Sequence, residues 1–302
     1  MLVVSGAPAL AQGIDLSSGG PVDVTARGGF EWREAEQQVI AEGDARAVRG
    51  PVTVLADRLI ARYRKKPGSA AAPVAAKPAD AASGVPDAGE NEVYRLEADG
   101  HVRIVTATDE AVADHAVYDI DQAVLVLTGK ALKLTTPQQV LTARDSMEYW
   151  SQRRMAVGRG DAVVLTSDAR RLQADTLVAY TKPPDPPKPE AGKAEPAKAA
   201  APLAAGDPIA TSGKVDRVEA FGNVEVRTIA DTVRGDRGVY VPDTGIARVI
   251  GHVRITHGPN QLNGPAADVN MKTGVAHILA NPAGRVEGLL VPNGPAAAGL
   301  RK

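Results

Sequence analysis

Val93-Tyr94-Arg95-Leu96-Glu97-Ala98-Asp99-Gly100-His101-Val102-Arg103-Ile104 decides the fold of this 302-residue chain, because the chain repeats the phrase later. The second copy is Val215-Asp216-Arg217-Val218-Glu219-Ala220-Phe221-Gly222-Asn223-Val224-Glu225-Val226. Apolar and polar residues alternate through both, so each copy reads as two period-two strands with one face inward and one toward water. The glycine in the middle supplies a turn or bulge. Looser echoes run Val39-Ile40-Ala41-Glu42-Gly43-Asp44-Ala45 and Arg248-Val249-Ile250-Gly251-His252-Val253-Arg254-Ile255. A unit of this kind cannot cover its own apolar face and must stack on its neighbours. The expected fold is all-β, a solenoid or rolled sheet.

The beat is regular outside the phrase as well. Gly100 to Gly129 is 29 positions, Gly129 to Gly160 is 31, and Gly222 to Gly251 is 29. Asp114, Asp145 and Asp175 follow at 31 and 30, and Asp236 to Asp268 is 32. Repeats of about 30 residues, with turn signals every 8–12, hold roughly three short strands each. Glu34 to Val39 could form one helical turn, but six residues without a cap make a poor helix.

Composition narrows the function. Formal net charge is -1, which gives no nucleic-acid footprint. There is no cysteine, so disulfides, thiolate metal sites and cysteine nucleophiles are excluded. Aromatics are 3%, leaving valine and alanine to carry the interior, and no run approaches the ~20 apolar residues of a membrane-spanning helix. Residues 1–11 end in Ala9-Leu10-Ala11, a small-x-small pattern read as the remnant of a secretory signal peptide. Residues 67–90 and 182–213 are rich in Ala, Pro, Lys and acids, with few β-branched residues, and read as disordered insertions. Both begin shortly after a tyrosine, Tyr63 and Tyr180, and end before a phrase copy, so they interrupt the same turn of the repeat. The expected divisions are 12–66, 91–181 and 214–292 as N-terminal, central and C-terminal parts of one rolled sheet, with 293–302 a flexible tail.

The recurring Asp57, Asp114, Asp145, Asp175, Asp236 and Asp268 are expected at corners, where a carboxylate can accept backbone N–H groups. His101, His115, His252, His257 and His277 have no metal spacing, and His101 and His252 fill the same slot, expected to face solvent. No serine sits in a nucleophile elbow, and no glycine-rich loop opens a helix. No catalytic residue, metal or cofactor is expected. The signal that remains is an inward row: Ala45, Ala47, Val52, Val54, Val102, Ile104, Val124, Val126, Val163, Val224, Val226, Val253 and Ile255. Periodicity alone leaves a packed core and an apolar channel for a lipid equally open. A right-handed β-helix enzyme acting on polysaccharide would show clustered carboxylates and stacked aromatics along a groove. A structural β-solenoid without lipid is the other alternative.

The phrase, the corners Ala113-Asp114 with Tyr118 and Ala174-Asp175 with Tyr180, Val126-Leu127-Thr128-Gly129, and the closing Arg285-Val286-Glu287-Gly288-Leu289-Leu290-Val291-Pro292 together resemble the LptA/OstA family. The resemblance covers roughly Pro21 to Pro292 outside the insertions. These are periplasmic lipopolysaccharide-transport proteins of Gram-negative bacteria. The resemblance implies a β-jellyroll open at both ends, with lipid A acyl chains held between its sheets. It also implies head-to-tail stacking with copies of itself and with related jellyrolls, bridging inner and outer membranes. Val22 and Val24 at one end, and Val286, Leu289 and Val291 at the other, are the expected assembly edges. The chain departs from short family members in its extra repeats and two insertions.

Overall fold

A computed structural model describes residues 22–65, 91–167, 169–182, 215–228, 231–280 and 286–289. Residues 1–21, both proposed insertions and the tail lie outside them. The strands are β1 (Asp23–Thr25), β2 (Gly29–Arg33), β3 (Gln38–Arg49), β4 (Val52–Lys65), β5 (Asn91–Val105), β6 (Glu110–Asp119), β7 (Val124–Thr128), β8 (Leu132–Thr135) and β9 (Gln139–Ala143). They continue as β10 (Ser146–Trp150), β11 (Met155–Thr166), β12 (Arg171–Thr181), β13 (Val215–Arg227), β14 (Asp231–Val241), β15 (Ile246–His257), β16 (Asn260–Asn270), β17 (Val275–Leu279) and β18 (Glu287–Leu289). The Glu34–Val39 stretch forms a single 3-10 turn at Glu34–Glu36. The all-β jellyroll expectation holds.

Neighbouring long strands pair antiparallel, and each of their ladders shifts register near the strand's middle, with a second shift near the rim in the β4–β5 and β12–β13 ladders. The shift has a local cause. Gly43-Asp44, Gly100-His101, Gly160-Asp161, Gly222-Asn223 and Gly251-His252 all carry two successive positive φ angles, from +74° to +81° at the glycine and +44° to +48° at its successor. That left-handed pair bends the strand as a β-bulge, so one strand supplies two leaves of a folded sheet. The first leaf contains β2, β7, β10 and β17, and the second contains β1, β8, β9 and β18. The remaining strands cross from one leaf to the other. Four pairs of short strands each share one rung, so eighteen strands make fourteen rungs.

The expected corner aspartates stand where the bends are. Asp57 and Asp114 flank Gly100-His101, Asp145 and Asp175 flank Gly160-Asp161, and Asp175 and Asp236 flank Gly222-Asn223. Asp268 is the exception. It lies within the first leaf opposite Arg248, and Pro265 takes the corner facing Gly251-His252. Asp236 to Pro265 is 29 positions, so the corner keeps the beat and Asp268 stands three residues beyond it. The insertions leave the body at Lys65 and Lys182 and return at Asn91 and Val215, all on the free rim of the first leaf.

Candidate functional site: the apolar interior between the leaves

Alternation turns one face of each leaf toward the other. Many inward residues next to the corners are alanines: Ala56, Ala98, Ala113, Ala116, Ala143, Ala162, Ala174, Ala220 and Ala267 are all buried. Val102, Val224 and Val253, each directly after a corner pair, join Ile104, Leu125, Leu127, Leu132, Val226, Val233, Val249, Ile255 and Val269 in one continuous cluster from the β4 rung to the β16 rung. Tyr118 joins it at the first leaf's rim, and Tyr149 and Tyr240 pack against it there.

The second leaf's rim is polar instead. Thr106 Oγ1 accepts the Asp109 N–H at 2.9 Å, and Thr228 Oγ1 accepts the Asp231 N–H at 3.0 Å. Both aspartates are buried. His257 Nδ1 donates to Asp231 at 2.6 Å. Burial pushes the Asp109 carboxyl above its ordinary range.

Most of the inward row stands where the sequence placed it. Ala45, Val52, Val102, Ile104, Val224, Val226, Val253 and Ile255 are buried and face inward, and Ala47 and Val54 are half-buried opposite each other on the same face. Val124, Val126 and Val163 are corrections. Leu125 and Leu127 point inward, so Val124 and Val126 lie on the outer face, and Ala162 and Val164 take the inward places around Val163. Val124-Leu125-Val126-Leu127 has no polar residue to set its phase. The β11 bulge at Gly160-Asp161 resets the alternation before Val163.

The interior is close-packed. Its best-formed cavity, about 40 Å³, lies between Ala111, Leu134 and Leu141 of the second leaf and Leu125, Leu127, Met147 and Tyr149 of the first. Another of about 10 Å³ separates Leu172 and Val226 from Val218, Tyr240 and Val249. Ordinary ligand sites are ~300–1,000 Å³, so a guest of that size enters only by parting the leaves.

The two ends differ. At the N-terminal end β1 and β2 pair, among the described residues, only with β3. Phe30 and Trp32 of β2 face inward there yet are 53% and 52% exposed, because no rung covers them. Trp32 Nε1 donates to the Tyr63 hydroxyl at 2.7 Å, with the rings edge-to-face 6.3 Å apart. Sequence reading missed this aromatic mouth; the alternation Phe30-Glu31-Trp32 was its only signal. At the other end β17 and β18 pair, among the described residues, only with β16, and the inward residues are Ala276, Ile278 and Gly288. Val24 pairs with Ala47 on β3, Leu289 is exposed on β18, and Val22 and Val286 precede the two end strands. Val291 lies outside the described residues.

Elsewhere the glutamates of the outer faces pair with arginines. Glu97 bonds Arg62 at 2.8 Å, Glu148 bonds Arg159 at 2.8 Å, and Glu225 bonds Arg234 at 2.8 Å. Although partial burial opposes it, the arginines around Glu225 hold its carboxyl below the usual range. Along the outer crest, His101 Nδ1 donates to Asp57 at 2.8 Å and His252 Nδ1 to Asp236 at 2.7 Å, with both imidazoles in solvent as expected. His115 bonds Asp99. No group of three or more metal-binding side chains occurs among the described residues.

The family model described as LptA/(LptD N-terminal domain) LPS transport protein matches the chain twice, over residues 24–149 and 144–275. Among solved structures the chain is similar to LptH, the LptA homologous periplasmic component of the lipopolysaccharide transport device from Pseudomonas aeruginosa. Identity is 15% and the TM-score 0.37, over 51% of this chain and 95% of that one. No curated protein sequence matches the chain.

Proposed function

The chain belongs to the family of LptA and the LptD N-terminal domain, lipopolysaccharide-transport proteins, and from that premise we propose that it is a non-enzymatic periplasmic carrier holding lipopolysaccharide acyl chains between its two leaves. The observation that carries the reading is the interior itself. One apolar seam runs unbroken through both family matches, and the arginine–glutamate pairs stay on the outer faces while His257–Asp231 closes the second leaf's inner rim. Each CH₂ taken from water into such a seam is worth ~0.8 kcal/mol. That gain offsets part of the cost of separating the leaves. Walls of Val, Ala and Leu without a deep pocket let a chain slide rather than lock. The phosphorylated head stays outside, where arginines can meet it.

The end rungs support the rest of the proposal. Among the described residues strands β2 and β17 each offer an unpaired edge, and an unpaired edge recruits another strand. Because the two ends differ, the contact is head-to-tail and propagates. The partners are copies of this chain and related jellyrolls at the inner and outer membranes, with Val22, Val24, Val286, Leu289 and Val291 in the edge segments. Two family matches in one chain then supply the groove length of two stacked units.

Site-specific photo-crosslinking in cells tests the interior. A photoreactive residue at inward Val102 or Val224 is expected to capture lipopolysaccharide, and one at outward Arg103 or Glu225 is not. Equal capture at all four positions overturns the proposal.

A further inference from the structure

We propose that the second repeat carries a lateral docking face, on the outside of the first leaf across β13–β17, and that its occupant is the same face of a second copy of this chain. Matching the two phrase copies pairs each outer position of the first repeat with one of the second. Beside the corner the first repeat shows Asp99, His115 and Thr128 in adjacent register. The same places in the second are Phe221, Arg237 and Ile250. The row continues through Ala266 to Leu279. Val239, Ile246 and Val275 lie on the same outer face in the next two rows. Phe221, Val239, Ile246, Ile250, Val275 and Leu279 are each between 36% and 47% exposed. In the row beside the corner the first repeat has Asp99 and Thr128 where the second has Phe221 and Ile250, at positions that do not touch the interior; in the next row Glu97, Val117 and Val126 answer Glu219, Val239 and Arg248.

The chemistry of the face selects its partner. Its charges are nearly balanced within the chain: Arg217 bonds Glu219 at 2.8 Å, Arg248 bonds Asp268 twice at 2.6 Å, Arg237 adds a cation, and His277 stands opposite Asp268. A face this close to neutral does not attract a polyanion or an anionic bilayer. A twisted pleated plate is covered best by another of the same twist. A two-fold axis beside the Val239–Arg248 row sets each copy's Arg248–Asp268 pair antiparallel to the other's, which is the self-complementarity an isologous contact needs. Five strands ~4.8 Å apart and six residues at ~3.3 Å each make a plate of roughly 24 by 20 Å. That is below the ~800 Å² per partner of a stable complex, so the pairing is reversible and set by concentration. It is independent of the end-to-end contacts, which use strand edges.

The chain has no cysteine, so one can be introduced without background. Full-length Val239→Cys, oxidised at rising concentration, is expected to form a disulfide dimer at least tenfold faster than Arg103→Cys on the outside of the second leaf. Adding Phe221→Asp and Ile250→Thr, which install the first repeat's residues, is expected to remove that advantage while circular dichroism keeps its sheet signal. Deleting residues from Val286 onward is expected to leave it unchanged. Equal rates for the two cysteines overturn the proposal. So does a dimer that survives Phe221→Asp with Ile250→Thr, or one lost with the Val286 deletion.

Discussion

Gly100 lies so close to Asp57 that a Cβ on the glycine would stand 2.1 Å from the Asp57 carboxylate oxygen. Gly222 stands in the same relation to Asp175 at 2.2 Å, and Gly251 to Asp236 at 2.3 Å. The corner therefore needs glycine for two reasons, a positive φ and the absence of a side chain.

Gly100→Ala should separate those reasons from the simpler case of Gly50, whose φ is +53° with nothing within 4 Å of an added Cβ. Gly50→Ala is expected to cost ~1–2 kcal/mol from the left-handed backbone alone. Gly100→Ala adds an overpacking cost of ~1–3 kcal/mol, and Asp57→Ala in the same chain should recover much of the added part. Urea unfolding of the four proteins measures it. Equal costs at Gly50 and Gly100 would show that the Asp57 contact yields freely.

The Asp57 hydrogen bond, helped by its charge, raises the His101 pKa above the ordinary histidine value. The folded protein thus binds that proton more tightly than the unfolded chain. The pair's contribution to stability is present below the unfolded histidine pKa and is lost as pH rises through the folded one. In NMR titration the His101 imidazole should change its charge at higher pH than an unfolded histidine, and Asp57→Asn should bring it back. A titration unmoved by Asp57→Asn would remove this account.

Leu127 and Val126 are neighbours with opposite fates, one in the interior cluster and one on the outer face. Leu127→Ala is expected to cost ~2–5 kcal/mol, as buried leucines do. Val126→Thr keeps a β-branched residue on a partly open face and should cost ~1 kcal/mol or less. The reverse order in thermal unfolding would mean that β7 pairs one residue out of register.

Tyr63 is buried beneath Trp32, whose indole is half in water. Tyr63→Phe removes one hydrogen bond, and water can reach the freed indole N–H, so the expected cost is ~0.5–1.5 kcal/mol. Tyr63→Ala removes the packed ring and should cost ~3–5 kcal/mol. Trp32 fluorescence should shift to the red in the alanine variant far more than in the phenylalanine one. Equal shifts would place the Trp32 environment under the control of other residues.

The residues alone determined that this chain is an all-β repeat, a solenoid or rolled sheet, that bends at its glycines. Alternation, glycine and aspartate are local signals, and each bend is made by the two residues that encode it. Gly100-His101 and Gly222-Asn223 were legible for that reason, as were Val102, Val224 and Val253 on the inner face. The tertiary structure decided what depends on phase and on neighbours from other strands. A uniformly apolar run such as Val124-Leu125-Val126-Leu127 has two equivalent phases, and only the ladders to β6 and β10 choose between them. Asp268 reads like its corner counterparts until pairing with Arg248 places it inside a leaf. The exposed inward aromatics at β2, the near absence of open space between the leaves, and the apolar outer face of the second repeat all depend on which surfaces are left uncovered. Burial is a property of the assembled sheet, and no segment of the sequence carries it alone.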